Sequence, residues 1–217
     1  LMAWGLFKKV VIADRLAPLV NQYYSSPTSY SGAELAMATL FFAIQIYCDF
    51  SGYSEIALGA AQVMGFKLMV NFKRPYFARS ISEFWRRWHI SLSTWLRDYL
   101  YFPLGGNRKG KRRTYFNLAI VMFLGGLWHG AKWTFVVWGS IHGIMLALER
   151  MMGKKSIYNL LPRPFRVMVT FVIILITWVF FRSGSISIAG KYLSSMIGLQ
   201  QRFDGSALLG SVIYSRD

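Results

Sequence analysis

The sequence predicts an all-α, multi-pass transmembrane protein with interfacial or re-entrant helices, and three observations carry that expectation. Charged residues make up 16% of the chain, against about 25% in an ordinary soluble domain. Hydrophobic residues make up 54% and aromatic residues 17%. The charges are also segregated: Thr114 to Ala131 and Trp133 to Leu148 are uncharged apart from one histidine each, with Lys132 alone between them. Long apolar runs between basic clusters are the pattern of a chain that crosses a bilayer more than once.

The net charge of +16 raises nucleic acid as an alternative partner. Twelve of the 25 basic residues lie between Lys67 and Arg113, opposed only by Glu83 and Asp98. Beside apolar spans, such a segment marks the cytoplasmic side and meets anionic lipid headgroups. Zinc-finger spacing and RNP-like motifs are lacking, so nucleic acid is not expected as a partner. Cys48 stands alone, which excludes an internal disulfide framework and a Cys-based metal cluster. The chain begins on Leu1, carries no secretory signal pattern and ends on the polar "YSRD", which reads as part of a longer protein.

In order along the chain, "LMAWGLFKKVVIADRLAPLV" reads as a helix lying in the interface, its basic side chains snorkelling outward and Pro18 closing it. "SSPTSYSG" is a turn by composition. Leu35 to Cys48 and Ile56 to Phe66 are uncharged, and the polar "DFSGYSE" between them predicts two helices or one broken helix. A span of ~30 Å needs ~20 residues, so this region is expected to pack in protein or line a cavity.

Ser80 and Glu83 form a capping-box pattern. From there Trp85, Trp88, Leu92, Trp95, Tyr99 and Phe102 recur at helical spacing and predict one apolar stripe on an interfacial helix. Pro103 and Gly105–Gly106 end it, and "NRKGKRR" reads as a solvated loop. One span is expected to end near Trp128–Ala131, the next to run from Trp133 to Leu148. "ERMMGKKS" reads as a basic exit, and Val167 to Phe181 as a further span. No linker divides residues 1–217, which are read as a single membrane-embedded domain.

Three histidines are the candidates for chemistry: His89, His129 and His142. His129 sits in "GGLWHGAKW", where an ionisable side chain is costly and is either paired or functional. As a general base its neutral imidazole takes a proton at working pH. Glycines 125, 126 and 130 admit close approach, and Trp128 and Trp133 shape a pocket. As a packing residue it hydrogen-bonds a neighbouring helix, and spacing alone does not choose between the two. His142, in "WGSIHGI", reads as an interhelical hydrogen-bonding residue. Asp49 shares a helical face with Gln45 and, with Tyr47, Ser51 and Tyr53, makes a polar spot that reads as structural rather than as a substrate contact. A metal site would want His and carboxylates at helical spacing, and none is expected.

"FWRRWHISLSTWLRDYLYFPLGG" followed by "GGLWHGAKWTFVVWGSIHG" resembles the membrane-bound O-acyltransferase family, and within it the alginate O-acetyltransferase branch. "QIYCDFSGYSEIALGAAQVMGF" and "NFKRPYFARSISEFW" extend the likeness over most of residues 1–150. The resemblance implies acetyl transfer from a thioester donor such as acetyl-CoA, as co-substrate with no bound cofactor, toward hydroxyls of an extracellular, alginate-like polysaccharide. It assigns catalysis to His129, as general base or acyl carrier, and to His89, which closes the "FWRRWH" string. Arg86, Arg87 and Arg97 are candidates for donor phosphates or lipid headgroups, and Trp128 for the pocket wall. The resemblance also implies a bacterial inner-membrane location, membrane lipids and envelope polysaccharide-acetylation proteins as partners, and N-terminal helices missing from this chain. D-alanyl transfer to teichoic acid is the alternative within the family, and a transporter, channel or purely structural subunit the alternative outside it.

Overall fold

The computed structural model describes residues 1–153 and 157–199. Lys154–Ser156 of "ERMMGKKS", the closing "YSRD" and the rest of 200–217 lie outside the described residues. Those described form helices joined by turns and one longer irregular segment, residues 64–80, with no strand among them.

The first rod combines α1 (Met2–Leu6), a π-helical segment (Phe7–Ala13) and α2 (Asp14–Ser25). Pro18 does not close it: the proline follows shortly after the π-to-α junction, where the regular ladder is already interrupted, and the helix continues to Ser25. Nor do both of its lysines snorkel outward. Lys8 is buried, its ammonium 2.7 Å from Glu55 and 3.4 Å from Ser51 on the next helix. Lys9 pairs with Asp14 at 2.9 Å and Asp49 at 2.6 Å.

Those pairs explain why α3 (Gly32–Val63) is a single helix of 32 residues, not two helices or a broken one. The polar residues of "DFSGYSE" meet the basic rod instead of interrupting the ladder. Gly52 lies against Gly5, where a Cβ on either would stand 2.5–2.7 Å from the other's carbonyl oxygen. Ser31 and Glu34 cap α3 reciprocally. At its far end Gly65 takes φ +83°, and its N–H bonds Gln62 while that of Phe66 bonds Ala61, closing the last carbonyls in a Schellman turn.

The expected stripe from Trp85 to Phe102 is split. Ser80 accepts from the N–H of Glu83 and opens α4 (Ile81–Trp85), but the chain turns at His89 in the left-handed region (φ +45°) before α5 (Ile90–Leu96) and a second π-helical segment (Arg97–Tyr101). Asn71 stabilises that turn: its carbonyl accepts from Ile90, while Lys73 N–H donates to Arg87. Trp88 and Leu92 therefore remain buried, whereas Trp95, Tyr99 and Phe102 are exposed.

α6 (Gly110–His129) and α7 (Trp133–Met152) form a tight hairpin. Residues 110–113 of "NRKGKRR" are the first turn of α6, so only its beginning is loop. A Cβ on Gly126 would lie 2.4 Å from the carbonyl oxygen of Phe135, and one on Gly139 would lie 2.3 Å from that of Met122. Gly130 terminates α6 at φ +153°, ψ 162°, a conformation reserved for glycine. α8 (Arg163–Arg182) packs Trp178 against Phe42 of α3, and the unforeseen α9 (Ile186–Met196) donates the Tyr192 hydroxyl to the carbonyl of Leu35 at 2.7 Å.

Three described helices are long and apolar enough to cross a membrane: α3, α7 and α8. On α8, Phe165, Met168, Val172 and Ile176 are exposed, and their spacing gives one outward apolar stripe suited to lipid. The chain is an all-helical membrane protein.

The Lys8–Glu55 pair yields a stability prediction. Lys8→Met leaves Glu55 largely buried without its cation and is expected to cost roughly 3 kcal/mol. Lys8→Met/Glu55→Leu restores most of that loss. Denaturation in detergent micelles checks both, and a single variant as stable as wild type contradicts the structural role of the pair.

Candidate active site

His129 is the last residue of α6, held there by the glycine hairpin. Its ring lies among Trp128, Trp138 and Phe181, with centroids 5.0, 5.3 and 5.1 Å away, and Phe135 at 6.2 Å. Neither ring nitrogen has a hydrogen-bond partner among the described residues.

Two cavities meet at His129 and Trp138. The first, about 230 Å³, runs between α5, the second π-helical segment, α6 and α7. Leu92, Leu96, Val121 and Gly125 make it apolar, and Arg97 and Arg150 also border it. From Trp138 to Arg150 is twelve residues, roughly 18 Å along α7. The second cavity, about 260 Å³, is bordered by Ile46, Phe50, Trp88, His89, Trp128 and Phe181. His129 is thus reachable from two directions.

His89 and His129 share the second cavity. Trp128 lies between them, with its ring 5.8 Å from His89 and 5.0 Å from His129. Phe50 packs edge-on against His89 at 4.6 Å. Burial pushes the His89 pKa below its ordinary value, so this ring is neutral at pH 7.

His142 is fully buried and both its nitrogens are committed. The indole N–H of Trp85 donates to Nδ1 at 3.3 Å. A tryptophan can only donate, so Nδ1 is unprotonated and the proton sits on Nε2, which donates to Thr177 at 3.2 Å. Thr177 passes its own proton to the carbonyl of Ile174 at 2.8 Å. One histidine thereby ties α4, α7 and α8 together, the interhelical role read from its small neighbours.

The three candidate arginines separate. Arg97 borders the first cavity and pairs with Asp98 at 2.7 Å. Arg86 and Arg87 instead border a polar basin of about 460 Å³ with Arg79, Glu83 and Arg166. There Arg79 and Arg87 bind Glu83 at 3.0 and 2.5 Å. Burial alone would raise the Glu83 carboxyl; the hydrogen bonds from Arg79 and the Arg87 charge outweigh it and hold the pKa at about 2.

Trp128 borders the second cavity, whereas Trp133 is 72% exposed. Trp133 and Trp138 are five positions apart, about 140° around α7, and the inward one is Trp138. That residue and Arg150 escaped the sequence reading. Trp138 and His142 are four apart, a spacing that puts both on one helical face, whereas nothing local distinguishes Arg150 from any basic residue ending a span. Asp49 and Ser51 pair with the lysines of the first rod, not with a histidine, and α3 runs through them unbroken.

Comparison with known proteins extends the geometry. The model of the membrane-bound O-acyltransferase family, MBOAT, matches residues 1–191. The chain is 49% identical over 195 residues to the probable alginate O-acetylase AlgI of Pseudomonas fluorescens, covering 88% of this chain and 38% of that protein. It is 44% identical over 197 residues to the peptidoglycan O-acetyltransferase of Helicobacter pylori, covering 90% of this chain and 37% of that one. A more distant relative, the teichoic acid D-alanyltransferase of Streptococcus thermophilus, is 33% identical over 167 residues, covering 71% and 40%. The chain therefore spans about two fifths of the length of these relatives.

The different commitments of the histidines predict different costs. His142→Leu keeps the volume but strips Trp85 and Thr177 of buried partners, an expected loss of about 1–3 kcal/mol. His129→Leu removes no hydrogen bond within the protein and is expected to cost under about 1 kcal/mol. Thermal unfolding in detergent compares them, and equal losses contradict the assignment.

Proposed function

The chain belongs to the membrane-bound O-acyltransferase family, and we propose that it forms the acyl-transfer core of a membrane O-acetyltransferase. One observation carries the reading: His129 has both ring nitrogens uncommitted where two cavities meet.

In this reading the first cavity takes the apolar arm of a thioester donor such as acetyl-CoA, with Arg97 and Arg150 at its phosphates. The second takes the acceptor hydroxyl. Neutral His129 removes the hydroxyl proton as the oxygen bonds to the thioester carbonyl carbon. The carbon–sulfur bond then breaks, and the leaving thiolate takes the proton back from the imidazolium. The indole N–H of Trp138, buried with no hydrogen-bond partner among the described residues, is the donor for the developing oxyanion. Aromatic walls keep water from the thioester. His129 carrying the acetyl group itself is the second form of the same chemistry, and trapping of an acetyl-protein by rapid quench separates the two.

The acceptor is a hydroxyl of an extracellular, alginate-like polysaccharide, reached directly or through envelope acetylation proteins. Support comes from the two O-acetyl-transferring relatives, which are nearer in sequence than the D-alanyltransferase. The basic 67–113 segment faces the cytoplasm across the inner membrane. On that side the arginine basin of Arg79, Arg86, Arg87 and Arg166 meets anionic lipid headgroups.

The test is the acetyl-ester content of surface polysaccharide in cells whose full-length gene carries His129→Ala, beside His142→Leu, with membrane levels of each protein measured. His129→Ala at normal level is expected to lower acetylation at least about 100-fold, while His142→Leu lowers it only as far as protein level falls. Acetylation that persists without His129 removes the proposal.

A further inference from the structure

His89 differs from the other two histidines: one of its nitrogens has a partner inside the protein. Nδ1 lies 3.4 Å from the Ser91 hydroxyl, and that hydroxyl lies 2.6 Å from Oδ1 of Asn71. The backbone N–H of Ser91 approaches the same Asn71 atom at 3.1 Å. Because a backbone N–H can only donate, that atom is the amide oxygen and not the nitrogen. An amide oxygen cannot donate, so the Ser91 hydroxyl spends its one proton on Asn71. Its lone pair is what remains for His89, and Nδ1 must carry the ring proton. In a neutral ring, Nε2 is then a bare lone pair.

From this proton accounting we infer that Asn71 and Ser91 are positioning residues that hold His89 as the Nδ1–H tautomer, so that Nε2 meets the acceptor sugar as a hydrogen-bond acceptor. The backbone is built around the same arrangement. His89 occupies a left-handed conformation that side chains seldom adopt, and the Asn71 carbonyl holds the turn through Ile90 at 3.0 Å. Phe50 and Trp128 pack edge-on against the ring and limit its rotation.

The consequence rests on the function proposed above. A neutral ring protonated at Nδ1 has no N–H at Nε2 to offer an oxyanion. His89 instead binds a hydroxyl neighbouring the one that reacts, as a sugar ring carries, while the reacting hydroxyl gives its proton to His129. His89 then selects and orients the acceptor, and the donor side is untouched by it.

The experiment uses the full-length protein in lipid nanodiscs with ¹⁵N-labelled histidine, His89→Gln identifying the His89 signals by their loss. Wild type is expected to show a protonated Nδ1 and an unprotonated Nε2. Ser91→Thr, which keeps the hydroxyl, preserves that pattern, and Ser91→Ala mixes in the Nε2–H tautomer. In parallel, Ser91→Ala is expected to raise the KM for an oligosaccharide acceptor about tenfold, the equivalent of one hydrogen bond, with donor KM unchanged and Ser91→Thr near wild type. A wild-type ring protonated at Nε2, or a Ser91→Ala variant unchanged in both tautomer and acceptor KM, overturns the inference. A protein with the Nδ1–H pattern but no acetyl transfer supports the relay while removing the proposed function.

Discussion

The close contact of α6 with α7 is the constraint on which the rest depends. Gly126 and Gly139 bring backbone against backbone, and no larger residue fits either position without moving a helix. In a membrane, where apolar side chains gain little by leaving lipid for protein, small residues and van der Waals contact hold helices together. The hairpin fixes the end of α6, and with it the His129 ring, directly against Trp138. It also leaves room beside Gly125, where the first cavity reaches the same ring.

Around that hairpin the three histidines share a chemistry and differ in how much of it the protein has already used. His142 gives both nitrogens to its neighbours and acts as a clasp between helices. His89 gives one, to Ser91. His129 gives neither and has only aromatic faces around it. His129 is half-buried and its nitrogens border two cavities, so they are free to meet a group that enters either one. The electrostatic pattern follows the same division. Charges that hold the fold are paired, Lys8 with Glu55 between two helices and Arg87 with Glu83 four residues away, and the arginines bordering the first cavity stand apart from those of the polar basin.

Much of this was legible from residue order. The spans of α7 and α8 follow from uncharged runs, and the break after α6 from Gly130. The span expected to end near Trp128–Ala131 does not: α6 opens on Lys111, Arg112 and Arg113 and is not among the described helices apolar enough to cross a membrane. His142 announces itself as a packing histidine through its glycine and serine neighbours. What the sequence misstates is governed by contacts distant along the chain. "DFSGYSE" looks like a helix break until Lys8 and Lys9 are brought against it. The tryptophan stripe from Trp85 onward looks continuous until Asn71, 18 residues before His89, turns the chain there. Trp133 and Trp138 are equally plausible as pocket walls until the phase of α7 is known. Local periodicity reports which face of a helix is apolar, but not where the helix ends when the cause lies in another segment.

If His129 stands between a donor cavity and an acceptor cavity, filling each in turn separates the two. Leu118→Trp narrows the first and Ile46→Trp the second. Steady-state kinetics of the purified full-length protein would give the KM for donor and for acceptor in each variant. With that arrangement, Leu118→Trp is expected to raise the donor KM alone and Ile46→Trp the acceptor KM alone. Two variants that change the same KM, or that exchange these effects, would contradict it.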